Sequence, residues 1–187
     1  MDKTFPNPYT EPMKRITLAD FQWLEIQPTS TKRTRLTLSA SLAHNTDEPP
    51  AGPLLLAVSD EYFDFSCSVT SSENMEAGLV LYHTDATFLA IGQTSTTLFT
   101  TLSIMGWKNR IEIPFPKVDG SRTWLMRRRE EGVFIGIQES EADEGHWMGP
   151  FQLPGLKHSV SFGWYMSNQS NNEGIVTIEA VSYRRHQ

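Results

Sequence analysis

A thiol framework is the first thing this sequence lacks. Its 187 residues include one cysteine, Cys67, which excludes an intramolecular disulfide and a Cys-based zinc cluster, so the fold must rest on its core. Long apolar runs are missing too. No segment approaches the roughly 20 residues a membrane-spanning helix needs, and the opening stretch MDKTFPNPYTEPMKR has no apolar heart of a signal peptide. A soluble, cytoplasmic protein without a membrane partner is the expectation. Positive charge is in short supply: 16 Lys and Arg face 22 Asp and Glu, giving a net charge of −6. Such a chain has no electrostatic reason to approach phosphate backbones, and no nucleic acid partner is expected.

The familiar catalytic signatures are equally absent. There is no Ser-centred elbow, no phosphate-cradling glycine loop and no HExxH. The five histidines, at 44, 83, 146, 158 and 186, show no metal-ligand spacing in any pair, so neither a metal nor another cofactor is expected. The stretch SDEYFDF brings Asp60, Glu61 and Asp64 close, but only Asp60 and Asp64 share strand parity, and they are expected as solvated edge charges. The acidic ESEADEGHW is expected to be a hairpin tip and not a calcium loop.

What is present is strand. After a proline-rich arm over residues 1–12, twelve short runs rich in β-branched and aromatic residues follow one another, bounded by Gly, Pro, Asn and Asp, with no convincing helix. That is the count of a β-sandwich or barrel, and residues 13–187 are expected to form a single domain. DEPPAGP, Asp47 to Pro53, is taken as a long loop inside it. Parity sorts the faces. In YFDFSCSVT, Phe63, Phe65, Cys67 and Val69 oppose Asp64, Ser66, Ser68 and Thr70; in SVSFGWYMS, Val160, Phe162, Trp164 and Met166 oppose Ser161, Gly163, Tyr165 and Ser167. Cys67 therefore reads as a buried small hydrophobe. Arg127 and Arg129 fall on one face of their strand and Arg128 on the other, beside Glu130 and Glu131, which suits exposed ion pairs.

Three segments occur in a recognisable order: EAGLVLYHTDATFLAIGQ, SRTWLMRRREEGVFIGIQESEADEGHW and VSFGWYMSNQSNNEGIVTIEAVSYRR. Together, from Phe63 to Arg185, they resemble the β-sandwich family known as domain of unknown function 1349, which is similar to the C-terminal domain of glycoside hydrolase family 43 β-xylosidases. The resemblance is carried by Glu76-Ala77-Gly78-Leu79, the turn from Asp85 to Phe88, Trp124-Leu125, Arg129 to Gly132, Glu144 to Trp147, and Gly163 onward. It implies an all-β fold of two antiparallel sheets, a jelly-roll sandwich of the concanavalin A-like lectin/glucanase type, with one sheet offering a concave face. The chain departs from the family on its return strand, where Phe88 and Ala90 stand for a Trp and a Lys.

Glycosidases of that broad superfamily need two carboxylates on one strand face, commonly ExDxxE, about 5–5.5 Å apart in retaining enzymes. No such array is present, so the chain is expected not to be an enzyme; a hydrolase survives only if acids from separate strands meet within ~5–9 Å. Sugars lie on aromatic rings beside short polar groups. The family register turns the Gly78/Tyr82 and Gly163/Tyr165 faces to the concave side, which makes Tyr82 and Tyr165 the leading ligand contacts, joined by Trp107, Arg110, Glu76 and Asn168. The expected function is thus non-catalytic binding of a carbohydrate or small polyol on the concave face. The alternative is a cytoplasmic protein–protein module acting on a metabolic enzyme.

Overall fold

Strict alternation of apolar and polar residues builds the central strand of one sheet. In the computed structural model, which describes residues 16–24, 27–34, 37–45, 52–73, 75–94, 96–114, 122–139, 144–154 and 159–186, β5 (Tyr62–Ser71) buries Phe63, Phe65, Cys67 and Val69 and turns Asp64, Ser66 and Ser68 outward. The arm expected over 1–12, and most of the loop from Asp47 to Pro53, lie outside the described residues.

Among the described residues, fourteen strands form two sheets of seven. Sheet A runs in the order β1 (Gln22–Leu24), β4 (Leu54–Ser59), β13 (Val160–Asn168), β6 (Met75–Thr84), β7 (Thr87–Gln93), β8 (Thr97–Ile104), β9 (Trp107–Pro114). Sheet B runs β12 (His146–Phe151), β11 (Gly132–Gln138), β10 (Arg122–Arg129), β5, β14 (Gly174–His186), β3 (Thr37–Leu42), β2 (Ser30–Arg33). Every pairing is antiparallel. The all-β sandwich expected from the sequence is therefore the fold.

Between the sheets lies one aromatic-rich core. Phe21, just after a short 3-10 turn at Leu18–Asp20, meets the Trp164 ring at 4.5 Å, and Phe63 meets Phe162 at 4.5 Å. Burying each such ring is worth about 1.5–3 kcal/mol. Cys67 sits in this core, where the Trp164 indole N–H donates to its sulfur at 3.1 Å and burial pushes its thiol up to about 12.

The sequence reading names twelve strands and misses β2 and β12. Both are the outer edges of sheet B. An edge strand needs no apolar alternation, since one side of its ladder meets water: β2, STKR, is exposed at every position, and β12 carries Gly149-Pro150. A second departure concerns sheet A. Its outer face was expected to be small and polar around Tyr165, yet Leu54, Leu56, Val80, Phe88, Ala90, Phe99 and Tyr165 form a second buried apolar layer there.

Candidate functional site

Register assembles the outer face of sheet A from cross-strand rows. Tyr165 pairs with Gly78, Gly78 with Gly92 and Gly92 with Phe99; one row along, Gly163, Val80, Ala90, Thr101 and Arg110 follow one another across five strands. The glycines are required by close approach. A side chain at Gly92 would strike the Phe99 ring, and one at Gly78 the backbone of Ile91 and Gly92. In the space so left, Phe99 and Tyr165 meet edge to face, with ring centroids 6.1 Å apart.

Glu76, one row further, is buried at the end of this layer. Arg110 reaches across β8 and β7 to hold it by two bonds, Nη1 to Oε1 and Nη2 to Oε2, both 3.0 Å. The Tyr165 hydroxyl donates to Oε1 at 2.6 Å, and Gln169 Nε2 to Oε2 at 3.4 Å. Arg110 also donates from Nε to Glu112 at 2.6 Å, and its guanidinium lies 4.2 Å over the Phe99 ring. Burial opposes the Arg110 charge, but hydrogen bonds and charge from Glu76 and Glu112 outweigh it and hold the guanidinium above its ordinary value. Burial, then the Glu76 charge, pushes the Tyr165 phenol far above its usual range.

Three of the six expected site residues, Glu76, Arg110 and Tyr165, are thus brought into one cluster, but as mutual partners and with Tyr165 fully buried. Tyr82 stands on the same face, half-buried, its hydroxyl donating to Asp85 Oδ1 at 2.6 Å, with Ser161 and Phe88 as its cross-strand neighbours. Asn168 is structural. Its amide donates to the Leu42 and Asn172 carbonyls at 2.8 and 2.9 Å, and its Oδ1 accepts from the Ser170 N–H. Trp107 is not brought to the cluster at all. It pairs with Ile104 and faces the other side of the sheet from Arg110, because strand parity sets neighbours of odd and even number apart. Among the described residues, no open groove joins Tyr82, Trp107 and Tyr165: Val80, Ala90, Thr101 and Tyr165, in the middle of the face, are all fully buried.

No family model matches the chain, and no curated protein matches it either. Solved structures do. A functionally unknown protein from Saccharomyces cerevisiae matches with a TM-score of 0.76 at 15% identity, over 92% of this chain and 100% of that one. A xylan β-1,4-xylosidase from Bacillus halodurans matches at 0.71 and 12% identity, over 98% of this chain but 41% of the enzyme. A Bacillus licheniformis β-glucanase matches at 0.59 and 12% identity, over 94% and 97%. The fold is a concanavalin A-like jelly roll.

On the other side of this concanavalin A-like sandwich lies a cluster that the sequence reading missed. Asp64 Oδ1 accepts from Arg127 at 2.8 Å and Arg129 at 2.7 Å, and Oδ2 contacts His186 Nε2 at 2.6 Å. Arg127 in turn stacks 4.5 Å over Trp147. Arg127 and Arg129 do share a face, but the β5–β10 register gives them Asp64 where Glu130 and Glu131 were expected, and Arg128 is buried, donating to the Ser59 carbonyl at 3.1 Å. The signal lay in strand pairing, which parity alone does not supply. Nearby, a cleft of about 770 Å³ opens beside Asp60, Tyr62, Arg128 and Glu130; its Glu61 is paired with Arg185 at 2.9 Å.

Proposed function

We propose that this concanavalin A-like chain is a non-catalytic, cytoplasmic binding domain of the domain of unknown function 1349 type. Its ligand is a carbohydrate or small polyol, taken at the Tyr82 end of the outer face of sheet A. The observation that carries the non-catalytic part is the state of Glu76, the one buried carboxylate among the described residues. Both its oxygens accept from Arg110, one also from Tyr165 and the other from Gln169. A carboxylate so saturated has no lone pair left to attack an anomeric carbon or take a proton.

The ligand class is supported by a ring with a polar neighbour at the accessible end of that face: Tyr82 bonded to Asp85, with Ser161 beside it. A pyranose can lay its C–H face on such a ring while Asp85 and Ser161 take hydroxyls. Two of the matched structures, a xylosidase and a β-glucanase, are by name active on carbohydrate. Calorimetric titration with xylose and glucose oligomers, backed by a glycan array, tests this. Binding is expected, and Tyr82→Ala is expected to weaken it at least tenfold. No response to any sugar, or an unchanged affinity in Tyr82→Ala, overturns the proposal.

A further inference from the structure

The outer face of sheet B carries positive charge that Asp64 does not use up. Register sets two rows side by side: Phe134, Arg127, Asp64 and Arg184 across β11, β10, β5 and β14, and beside them Gly136, Leu125, Ser66 and Ser182. Trp147 of β12 pairs with Gly136, and the glycine makes room for its indole, since a Cβ there would come within 3.0 Å of the ring. A hollow of about 220 Å³ opens over these rows, lined by Ser66, Leu125, Arg127, Trp147, Ser182 and Arg184.

Two guanidiniums on its wall keep donors in hand. Arg127 gives Asp64 its Nε alone and lies 4.5 Å over the Trp147 ring, so it is held in place while its two Nη groups make no hydrogen bond among the described residues. Arg184 is the ladder neighbour of Asp64 but sends it no bond, because Arg127, Arg129 and His186 already occupy that carboxylate. Its side chain is exposed and enters no hydrogen bond or ion pair among the described residues. Three arginines thus stand around one carboxylate, an excess of two positive charges on a chain whose net charge is −6. The next carboxylate along β14, Glu179, lies past a bulge, opposite Ser68.

We propose that this hollow is a phosphate site whose ligand is the phosphate monoester of a small polyol. β10 and β14 are two strand spacings apart, ~9.5 Å, a span that two arginine side chains can close on one anion above Ser66. A carboxylate has two oxygens, which a single guanidinium fork fills; a phosphate monoester offers three, enough for forks from both sides. It carries about −1.5 to −2 charges at neutral pH, which matches the excess. The hydroxyls of Ser66 and Ser182, without a hydrogen bond among the described residues, meet the hydroxyls of the polyol, and Leu125 meets its C–H groups. The hollow falls below the ~300–1,000 Å³ of sites for drug-sized ligands, so the polyol is small.

Titrations followed by amide magnetic resonance test this with four probes: glucose 6-phosphate, inorganic phosphate, gluconate and glucose. Glucose 6-phosphate should shift the amides of Ser66, Ser182 and Arg184 and the Trp147 indole N–H, approaching saturation by about 10 mM. Inorganic phosphate should act on the same signals at least threefold more weakly and gluconate more weakly still, while glucose leaves them where they are, whatever it does at Tyr82. Arg184→Gln should weaken the sugar phosphate at least tenfold with an unchanged circular dichroism spectrum, and Tyr82→Ala, on the opposite face of the sandwich, should not alter it. No shift at these residues up to about 10 mM, gluconate or glucose binding as tightly as the ester, or an affinity unchanged in Arg184→Gln overturns the proposal. So does inorganic phosphate as tight as the ester, which would reduce the site to an adventitious ion only.

Discussion

Glu76 and Asp64 look alike on paper: each is a lone carboxylate gripped by arginine on the outer face of a sheet. They differ in water. The Glu76 side chain is 2% exposed and the Asp64 side chain 30%. Glu76 has left solvent completely, and its desolvation is offset only by geometry, a two-pronged Arg110 and the Tyr165 hydroxyl. Asp64 keeps part of its hydration, so the two arginines and His186 around it gain less, and the loss of any one of them is partly made good by water. The same chemistry is structural mortar in one place and a surface adjustment in the other.

The largest test of that difference removes Arg110. Arg110→Met keeps the aliphatic bulk over Phe99 but leaves a buried, unpaired carboxylate, and about 3–5 kcal/mol of stability should be lost in urea unfolding. Adding Glu76→Gln, which removes the charge while still accepting from Tyr165, should restore much of it. If the single variant loses less than about 1 kcal/mol, Glu76 is far better solvated than its burial implies, and the contrast with Asp64 collapses.

A smaller effect is expected from Tyr165→Phe. Here the ion pair survives and only the O–H donor to a charged acceptor is lost, which is worth about 1.5–3 kcal/mol. The urea midpoint should fall between those of the wild type and Arg110→Met. Equal losses for the two variants would mean that the hydroxyl, and not the guanidinium, is what makes Glu76 tolerable in the sheet.

How much of this could be seen beforehand divides along the same line between what one strand contains and what two strands share. The alternation of Phe63, Phe65, Cys67 and Val69 names the core face of β5 without any knowledge of its neighbours. Glu76, Arg110 and Tyr165 were each legible as chemically equipped residues, yet that they bind one another depends on Arg110 reaching across the two strands between β9 and β6. Burial of Leu54, Leu56 and Val80 on the supposed outer face was hidden because β4 and β6 are apolar on both sides, a pattern from which parity cannot tell core from cover. The edges β2 and β12 were lost for the opposite reason, too little apolar signal. Trp107 was misplaced because its face depends on where the turn falls: Met105 and Gly106 start β9 at Trp107 and fix its ring to the side opposite Arg110.

Asp64 supplies the smallest and most graded prediction, because it can be titrated. Burial raises its pKa, but the hydrogen bonds from Arg127, His186 and Arg129 together outweigh that and hold it below the ordinary 3.8. A carboxyl depressed in the folded state stabilises the fold at pH values above its unfolded pKa, and that contribution is lost as pH falls through the folded one. Stability attributable to Asp64 should therefore be full near pH 6, begin to fall around pH 4 and continue downward, while its part-exposure limits the whole effect to about 1 kcal/mol. Asp64→Asn should cost about that much at pH 6 and flatten the urea midpoint between about pH 5 and pH 3 relative to wild type. A cost as large as that of Arg110→Met would show the half-exposed cluster to be as tightly coupled as the buried one. An acid limb equally steep in Asp64→Asn would assign the pH dependence to other carboxylates and leave Arg127, Arg129 and His186 with no net hold on Asp64.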